Sequence, residues 1–184
     1  MEYVIKNMVC RHCVAAVEAA LEKAGIHDAK VFIGRVELDS EPTEEQLESL
    51  DAELAKGGFE RASTRDEMLI EKTKSAVLEH VRSEAECRLK LSACIEKQVG
   101  LPFDYLSRLF SRTEGRTLEQ FHIAQKVERV KELIAYGQYT LAEIANITGY
   151  SSAPHMSRQF KTVTGMTPTQ YIENLPDRES LEKI

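Results

Sequence analysis

Two cysteines three positions apart, Cys10 and Cys13, are the residues of this 184-residue chain whose type and spacing point most directly to chemistry. Thiolates are soft ligands, and two of them on one short loop can converge on a single ion. Because no further ligand is evident nearby, the pair suits a soft, low-coordinate cation such as Cu(I) better than Zn²⁺, which takes four ligands. His12 either tunes this site or is solvent-exposed, whereas Met8 is expected to pack in the core. The sequence therefore predicts a soft-metal site at Cys10 and Cys13 and no organic cofactor.

The remaining cysteines, Cys87 and Cys94, follow His80 at intervals of seven, which would place all three on one face of a continuous helix. Seven helical residues rise by about 10.5 Å, which exceeds the Cα separation of roughly 7 Å that a disulfide tolerates. A second metal site here would need another chain to complete it. We therefore expect buried, structural cysteines and a surface histidine.

A second type of chemistry is indicated by two arginines, Arg108 and Arg158, in a repeated pattern near the C-terminal end. The repeat pairs LSACIEKQVGLPFDYLSRLF with LAEIANITGYSSAPHMSRQF, and each half reads as a helix, a glycine-containing turn and a second helix. In a helix-turn-helix the second helix enters the major groove, where arginine is the commonest reader of guanine. One such arginine could be merely solvated, but the repetition favours DNA contact.

The elements that position the cysteines alternate between strand and helix. We predict strands over residues 3–6, 29–33, 36–38 and 59–62, and helices over residues 13–24 and from the cap Thr43 to Leu54. The resulting order, βαββαβ, is that of a ferredoxin-like domain. It places the cysteine loop at the N-terminus of the first helix, where the helix dipole favours thiolates.

Residues 1–62 resemble a heavy-metal-associated domain, the fold of copper chaperones and of N-terminal modules of metal-transporting ATPases. The family signature MxCxxC is matched by Met8, Cys10 and Cys13, although Asn7 stands where family members commonly have glycine. Two further matches are Gly25-Ile26 and Gly58-Phe59. The resemblance implies that this part of the chain binds a metal ion.

Residues 88–172 resemble the DNA-binding domain of AraC/XylS-type transcriptional regulators, most closely over IANITGYSSAPHMSRQFKTVTGMTPTQYI. The resemblance implies base contacts from the two recognition helices. The residues concerned are Asp104, Ser107 and Arg108 in the first helix, and Ala153, Pro154 and Arg158 in the second. It also implies that Arg112 and Lys161 contact backbone phosphates.

The charge distribution agrees with two different modules. The whole chain carries a net charge of −6, which alone would argue against a nucleic-acid partner. Residues 1–65, however, carry 8 Lys/Arg and 13 Asp/Glu, whereas residues 88–163 carry 11 and 7. No secretory signal or membrane-spanning segment is apparent, so we expect a cytoplasmic protein in which thiols stay reduced.

The sequence thus predicts an α+β chain: an N-terminal ferredoxin-like domain, a helical connector and a C-terminal all-α domain with two helix-turn-helix units. The predicted boundaries are 1–62, 63–87, 88–175 and a tail over 176–184. We expect a transcriptional regulator that binds double-stranded DNA and responds to a soft metal ion, with an apolar connector compatible with a homodimer. The alternatives are a regulator whose front domain only dimerises or binds another ligand, and a metal chaperone or buffer. An enzyme is not expected, since thiol oxidoreductases usually place a cis-proline opposite the thiols, and Pro42 lies far away in a loop.

Overall fold

The computed structural model of the chain describes residues 1–83 and 90–175. Within these ranges, residues 1–79 and 90–117 form one unit, and residues 80–83 and 118–175 form a second. The predictions for Cys87, for the end of the connector and for the C-terminal tail lie outside the described residues. No helix in the two described ranges is long and apolar enough to cross a membrane.

The first unit contains a four-stranded antiparallel sheet in the order β2-β3-β1-β4. Its strands are β1 Glu2–Lys6, β2 Ala29–Phe32, β3 Arg35–Leu38 and β4 Glu60–Arg61. Helix α1, Arg11–Lys23, connects β1 to β2, and helix α2, Glu44–Lys56, connects β3 to β4. The order along the chain is βαββαβ, as the alternating pattern predicts.

The core of this region is formed where the sheet meets the apolar faces of α1 and α2. Its members include Ile5, Met8, Val17, Leu21, Val36, Leu38, Leu50 and Leu54. Met8 is only 3 % exposed, so it packs in the core as expected and is not available as a metal ligand. Burial of these side chains is the main force that holds the loop before α1 in place.

The helix ends follow local capping chemistry. Helix α2 begins at the predicted cap, because the Thr43 hydroxyl accepts from the Gln46 amide while the Gln46 side chain accepts from the Thr43 amide. Helix α1 begins at Arg11, two residues before the predicted start at Cys13. Cys10 is extended and its carbonyl accepts from the amide of Cys13, so the first helical turn already includes the second cysteine.

Helix α3, Arg65–Arg82, lies within the span 63–87 predicted as a helical connector. Its first turn is capped by Glu67, whose carboxylate accepts from the backbone amides of Ser63 (2.8 Å) and Thr64 (3.1 Å). The same carboxylate accepts from Lys6 on β1 at 3.1 Å. The Ser63 amide, Lys6 and the Thr64 amide together lower the pKa of Glu67 to about 2.

One prediction about the residues spaced by seven is wrong, namely the surface position of His80. Helix α3 ends at Arg82, and Cys94 lies on another helix, α4, Leu91–Val99, so His80 and Cys94 do not share one continuous helix. His80 is buried, at 7 % exposure, rather than a surface residue. Cys94 is buried, as expected for a structural cysteine.

The remaining helices, α4 to α9, fall in the span predicted as the C-terminal all-α domain. The first unit of the structure contains α4 and α5, Phe103–Glu114, separated by a turn in which Gly100 adopts φ +77°. The second unit of the structure contains α6 Leu118–Tyr136, α7 Leu141–Ile147, α8 Ala153–Thr164 and α9 Pro168–Glu173.

The core of the second unit packs α6 against α7 and α8. Its members are Val127, Val130, Leu133, Ile134, Ile144, Ala145, Tyr150, Met156 and Phe160. Met156 and Phe160 correspond in the repeat to Leu106 and Phe110 of α5, and all four side chains are at most 1 % exposed. The matching positions of the two halves therefore serve as helix anchors.

Candidate nucleic-acid interface and thiol site

Helix α5 presents three of its four predicted DNA-contacting residues on one exposed face. Asp104, Arg108 and Arg112 follow each other at intervals of four and are all exposed. The Arg108 Nε donates to the backbone carbonyl of Asp104 at 3.1 Å, which directs the guanidinium along the helix surface. Ser107 is half-buried and lies nearer the anchored side. This face can offer hydrogen-bond donors to bases and phosphates.

The Arg112 side chain already has a partner. Its Nη2 lies 3.2 Å from Oδ2 of Asp66, in the first turn of α3. Sequence reasoning missed Asp66, since the two residues are far apart in the chain and no pattern connects them.

Helix α8 starts at a side-chain cap, because the Ser152 hydroxyl accepts from the amide of His155 at 3.3 Å. Pro154 is accommodated in the first turn, where its missing amide has no helical partner to lose. Arg158 and Lys161 are exposed, whereas Ala153 is half-buried. This face therefore holds fewer side-chain hydrogen-bonding groups than the α5 face.

His155 is a residue that sequence reasoning did not select. It is exposed in the first turn of α8, next to Pro154, and its Nδ1 lies 3.0 Å from the Ser151 hydroxyl. The ring also meets Tyr150 edge to face, with centroids 5.5 Å apart. The sequence signal that could have indicated His155 is a polar residue directly after Pro154 in the first turn of α8. The His155 ring offers the hydrogen-bonding group that Ala153 and Pro154 lack.

The two cysteines meet at the start of α1. Their Sγ atoms lie 3.5 Å apart, and both residues are half-buried. Burial raises the pKa of the Cys13 thiol, but hydrogen bonds from the backbone around Val9, Cys10 and Cys13 outweigh it and lower that pKa overall. The arrangement favours the thiolate, which is the form that binds metal or reacts as a nucleophile.

The loop before the cysteines is held by Asn7. This residue adopts φ +72°, the left-handed region that asparagine tolerates better than most side chains. Its side-chain amide donates to the carbonyl of Gly58 at 2.9 Å, which joins the cysteine loop to the turn before β4. Asn7 therefore fits the left-handed backbone that this position requires.

The described residues include no cluster of three or more His, Cys, Asp or Glu side chains that could hold a metal ion. His12 is exposed on α1. The donor set at the start of α1 is thus two thiols, which fits a soft monovalent ion and does not fit a closed four-ligand zinc site.

The second unit contains a histidine pair that the sequence pattern did not indicate. His80 and His122 have ring centroids 5.8 Å apart at an interplanar angle of 51°. Burial, Lys126 and His80 lower the pKa of His122 to about 4, and burial and Lys126 lower that of His80. Both rings are therefore neutral near pH 7.

Comparison with known proteins identifies the C-terminal part of the chain. A family model described as a helix-turn-helix domain matches residues 95–174. LumQ of Photobacterium leiognathi, named as a probable transcriptional regulator, is 35 % identical over 63 residues, which are 34 % of this chain and 25 % of that protein. An uncharacterized HTH-type transcriptional regulator of Staphylococcus aureus is 32 % identical over 82 residues, or 45 % of this chain and 11 % of that protein.

These relatives are matched over at most a quarter of their own length. Among solved structures, the C-terminal domain of AraT, a response regulator from Geobacillus stearothermophilus, superposes with a TM-score of 0.52 at 20 % identity. That superposition covers 65 % of this chain and 99 % of the other, and it shows a shared fold. The matched family model therefore describes residues 95–174 as a helix-turn-helix domain.

Proposed function

We propose that the chain is a transcriptional regulator that binds double-stranded DNA through α5 and α8. The observation that carries this proposal is the repeated geometry of the two helices. Each is anchored by a buried pair, Leu106 with Phe110 or Met156 with Phe160, and each exposes an arginine two positions after the first anchor. No catalytic step is part of this role, and the relatives named above are called transcriptional regulators.

Each half would read bases through its exposed arginine. Phosphate contacts from Arg112, Lys161 and the helix N-termini would fix the position of the protein along the duplex. Arginine gives guanine two parallel hydrogen bonds, whereas phosphate contacts carry no sequence information. Because the α8 face has Ala153 and Pro154 in place of longer polar side chains, the second half would read fewer bases than the first.

The test is to select binding sites from random duplexes and to measure isotherms on them. We expect Arg108→Ala and Arg158→Ala each to weaken specific binding by about 1–3 kcal/mol and to relax base preference at a few neighbouring positions. Arg112→Ala should instead weaken all sequences alike and reduce the dependence of affinity on salt. Lys30→Ala, which removes an exposed cation from β2, is the control. An unchanged selected motif for Arg108→Ala would show that α5 does not read bases.

For the front of the chain we propose a ferredoxin-like, heavy-metal-associated module whose Cys10 and Cys13 bind Cu(I) or another soft ion. This proposal is supported by the 3.5 Å separation of the two sulfurs and by the lowered pKa of Cys13. The thiolates of Cys10 and Cys13 would hold such an ion, which would supply positive charge beside the start of α1. Cys10→Ser and Cys13→Ser test it, and Cys94→Ser, which changes a buried cysteine of α4, is the matched control.

A further inference from the structure

The ion pair between Arg112 and Asp66 bears directly on DNA binding. Arg112 belongs to the exposed face of α5, and its side chain is 74 % exposed, while that of Asp66 is 52 % exposed. An ion pair this accessible can open, so another anion can replace the Asp66 carboxylate. A phosphate and a carboxylate suit the planar guanidinium fork in the same way.

A second and better-buried bridge holds the end of α5 against α3. Lys74 lies 2.8 Å from Glu114, the last residue of α5, and 2.8 Å from Glu71 on its own helix. The exposed fractions of these side chains are 19 % for Lys74, 21 % for Glu114 and 6 % for Glu71. Burial lowers the pKa of Lys74, but the two carboxylates outweigh it and raise that pKa overall. The neighbourhood of Asp66 and Arg112 is thus fixed independently of their own pairing.

Helix α3 is in turn attached to the sheet of the front module. The Ser75 hydroxyl donates to the carbonyl of Ile33 at 3.0 Å, and Lys72 lies 2.7 Å from Glu2 on β1. These contacts fix α3, and with it Asp66, on the front module. Asp66 therefore lies beside Arg112 of α5, and all of these residues belong to the first unit.

We propose that Asp66 is an intramolecular competitor of the DNA backbone for Arg112. In the free protein the Asp66 carboxylate is paired with the Arg112 guanidinium. A DNA phosphate must displace that carboxylate before Arg112 can contribute to binding. The contact opposes association with every DNA sequence alike, since phosphates carry no base information. This inference rests on the proposed DNA-binding function and assigns to α3 a direct part in setting its strength.

The test compares Asp66→Asn with the wild type, in the full chain, on a selected site and on an unrelated duplex. We expect Asp66→Asn to tighten binding to both by about two- to fivefold, as expected for the loss of an exposed ion pair. The salt dependence of binding should become steeper, by up to about one released counterion. Asp66→Glu, which keeps the charge, should behave like the wild type.

Two controls separate competition from a general effect of charge. In an Arg112→Ala background, Asp66→Asn should change affinity by less than about 1.5-fold, since nothing remains to compete for. Asp51→Asn removes an equally negative, exposed partner from Arg61 in the front module and should leave DNA affinity unchanged.

The outcomes distinguish this inference from the function beneath it. If the wild type selects no DNA sequence and binds no duplex, the proposed function is wrong. If the wild type binds DNA but Asp66→Asn has no effect, or tightens binding equally with and without Arg112, then Asp66 does not compete for that arginine and the inference is overturned.

Discussion

His80 and His122 show how a single residue type changes meaning with its surroundings. Histidine is ordinarily half-protonated near pH 6.5, and a side chain that is readily charged is favoured in solvent. A surface position is therefore a reasonable expectation for His80. In the second unit its ring instead lies buried beside His122, with Lys126 close enough to disfavour a further positive charge. Sequence reasoning could not find this pair, because the two residues lie on different helices and only the packing brings them together.

We predict that the free energy of unfolding falls as the pH is lowered from about 7.5 to 5.5. The pKa of His122 is about 4 when folded and near 6.5 when unfolded, so in this window the unfolded chain binds a proton that the folded chain excludes. The stability is complete above pH 6.5 and is lost progressively toward pH 4. Because the ring keeps some solvent contact, we expect a loss of about 1 kcal/mol at pH 5.5.

The measurement is urea unfolding at pH 7.5 and 5.5 for the wild type and His122→Leu. The variant should show a weaker pH dependence than the wild type, with the remainder coming partly from His80, whereas the control His27→Leu, at an exposed position, should keep the wild-type dependence. Equal pH dependence in the wild type and His122→Leu would show that His122 does not stay neutral in the fold.

At the scale of elements, the packing of α3 against the β2–β3 turn depends on one small residue, Gly34. Gly34 adopts φ +81°, and a Cβ atom there would lie 2.1 Å from the Ser75 hydroxyl oxygen. Glycine is therefore needed at this position for two reasons, a left-handed backbone and the close approach of α3.

We predict that Gly34→Ala lowers the free energy of unfolding by about 1–3 kcal/mol. Gly58→Ala is the matched control, since Gly58 has φ +75° but no atom within 4 Å of the added Cβ. It should cost only the backbone strain, and thus less than Gly34→Ala. Equal losses in urea unfolding would mean that Ser75 moves aside without cost and that α3 does not constrain the turn.

The elements themselves were largely predictable, because their ends obey local rules. Helix α2, for example, begins at the cap Thr43 that the sequence predicts. The predicted start of α1 was two residues late, because Cys10 is the N-cap residue of the helix but makes no side-chain capping hydrogen bond, which is the usual sequence signal. The bridges from α3 to Arg112 and Glu114 could not be foreseen, because ion pairs between distant helices leave no periodic pattern.

At the scale of the whole molecule, net charge is a poor guide to the partner. The chain carries −6 overall, yet the residues that resemble a DNA-binding domain carry more Lys and Arg than Asp and Glu. If the C-terminal part binds DNA as proposed, an acidic front module attached to it would lower nonspecific attraction to DNA and would make local charge pairs such as Asp66–Arg112 more influential. The helix-turn-helix family model matches residues 95–174, which lie almost wholly within this basic part of the chain.

We predict that metal and DNA affect each other's binding equally if the front module is a sensor. Cu(I) should bind the reduced chain at one equivalent, and a saturating selected duplex should shift its isotherm by the factor by which Cu(I) shifts the DNA isotherm. A coupling of about 1–3 kcal/mol corresponds to a shift of roughly 5- to 150-fold. Isothermal titration in both orders measures it.

Cys10→Ser or Cys13→Ser should abolish the metal response, and Cys94→Ser should preserve it. Tight Cu(I) binding without any shift in the DNA isotherm would exclude a sensor and would leave dimerisation or metal buffering as the role of the front module.

The attachment of α5 to α3 has a practical consequence for dissecting this protein. A fragment cut at the predicted boundary, residues 88–175, would keep both helix-turn-helix units but would lose Asp66, Lys74 and the rest of α3. Its Arg112 would then have no competing carboxylate, and Glu114 would have lost its lysine. If Asp66 competes for Arg112 as proposed, such a fragment would bind DNA more tightly than the intact chain, and dissociation constants measured on it would overstate the affinity of the whole protein.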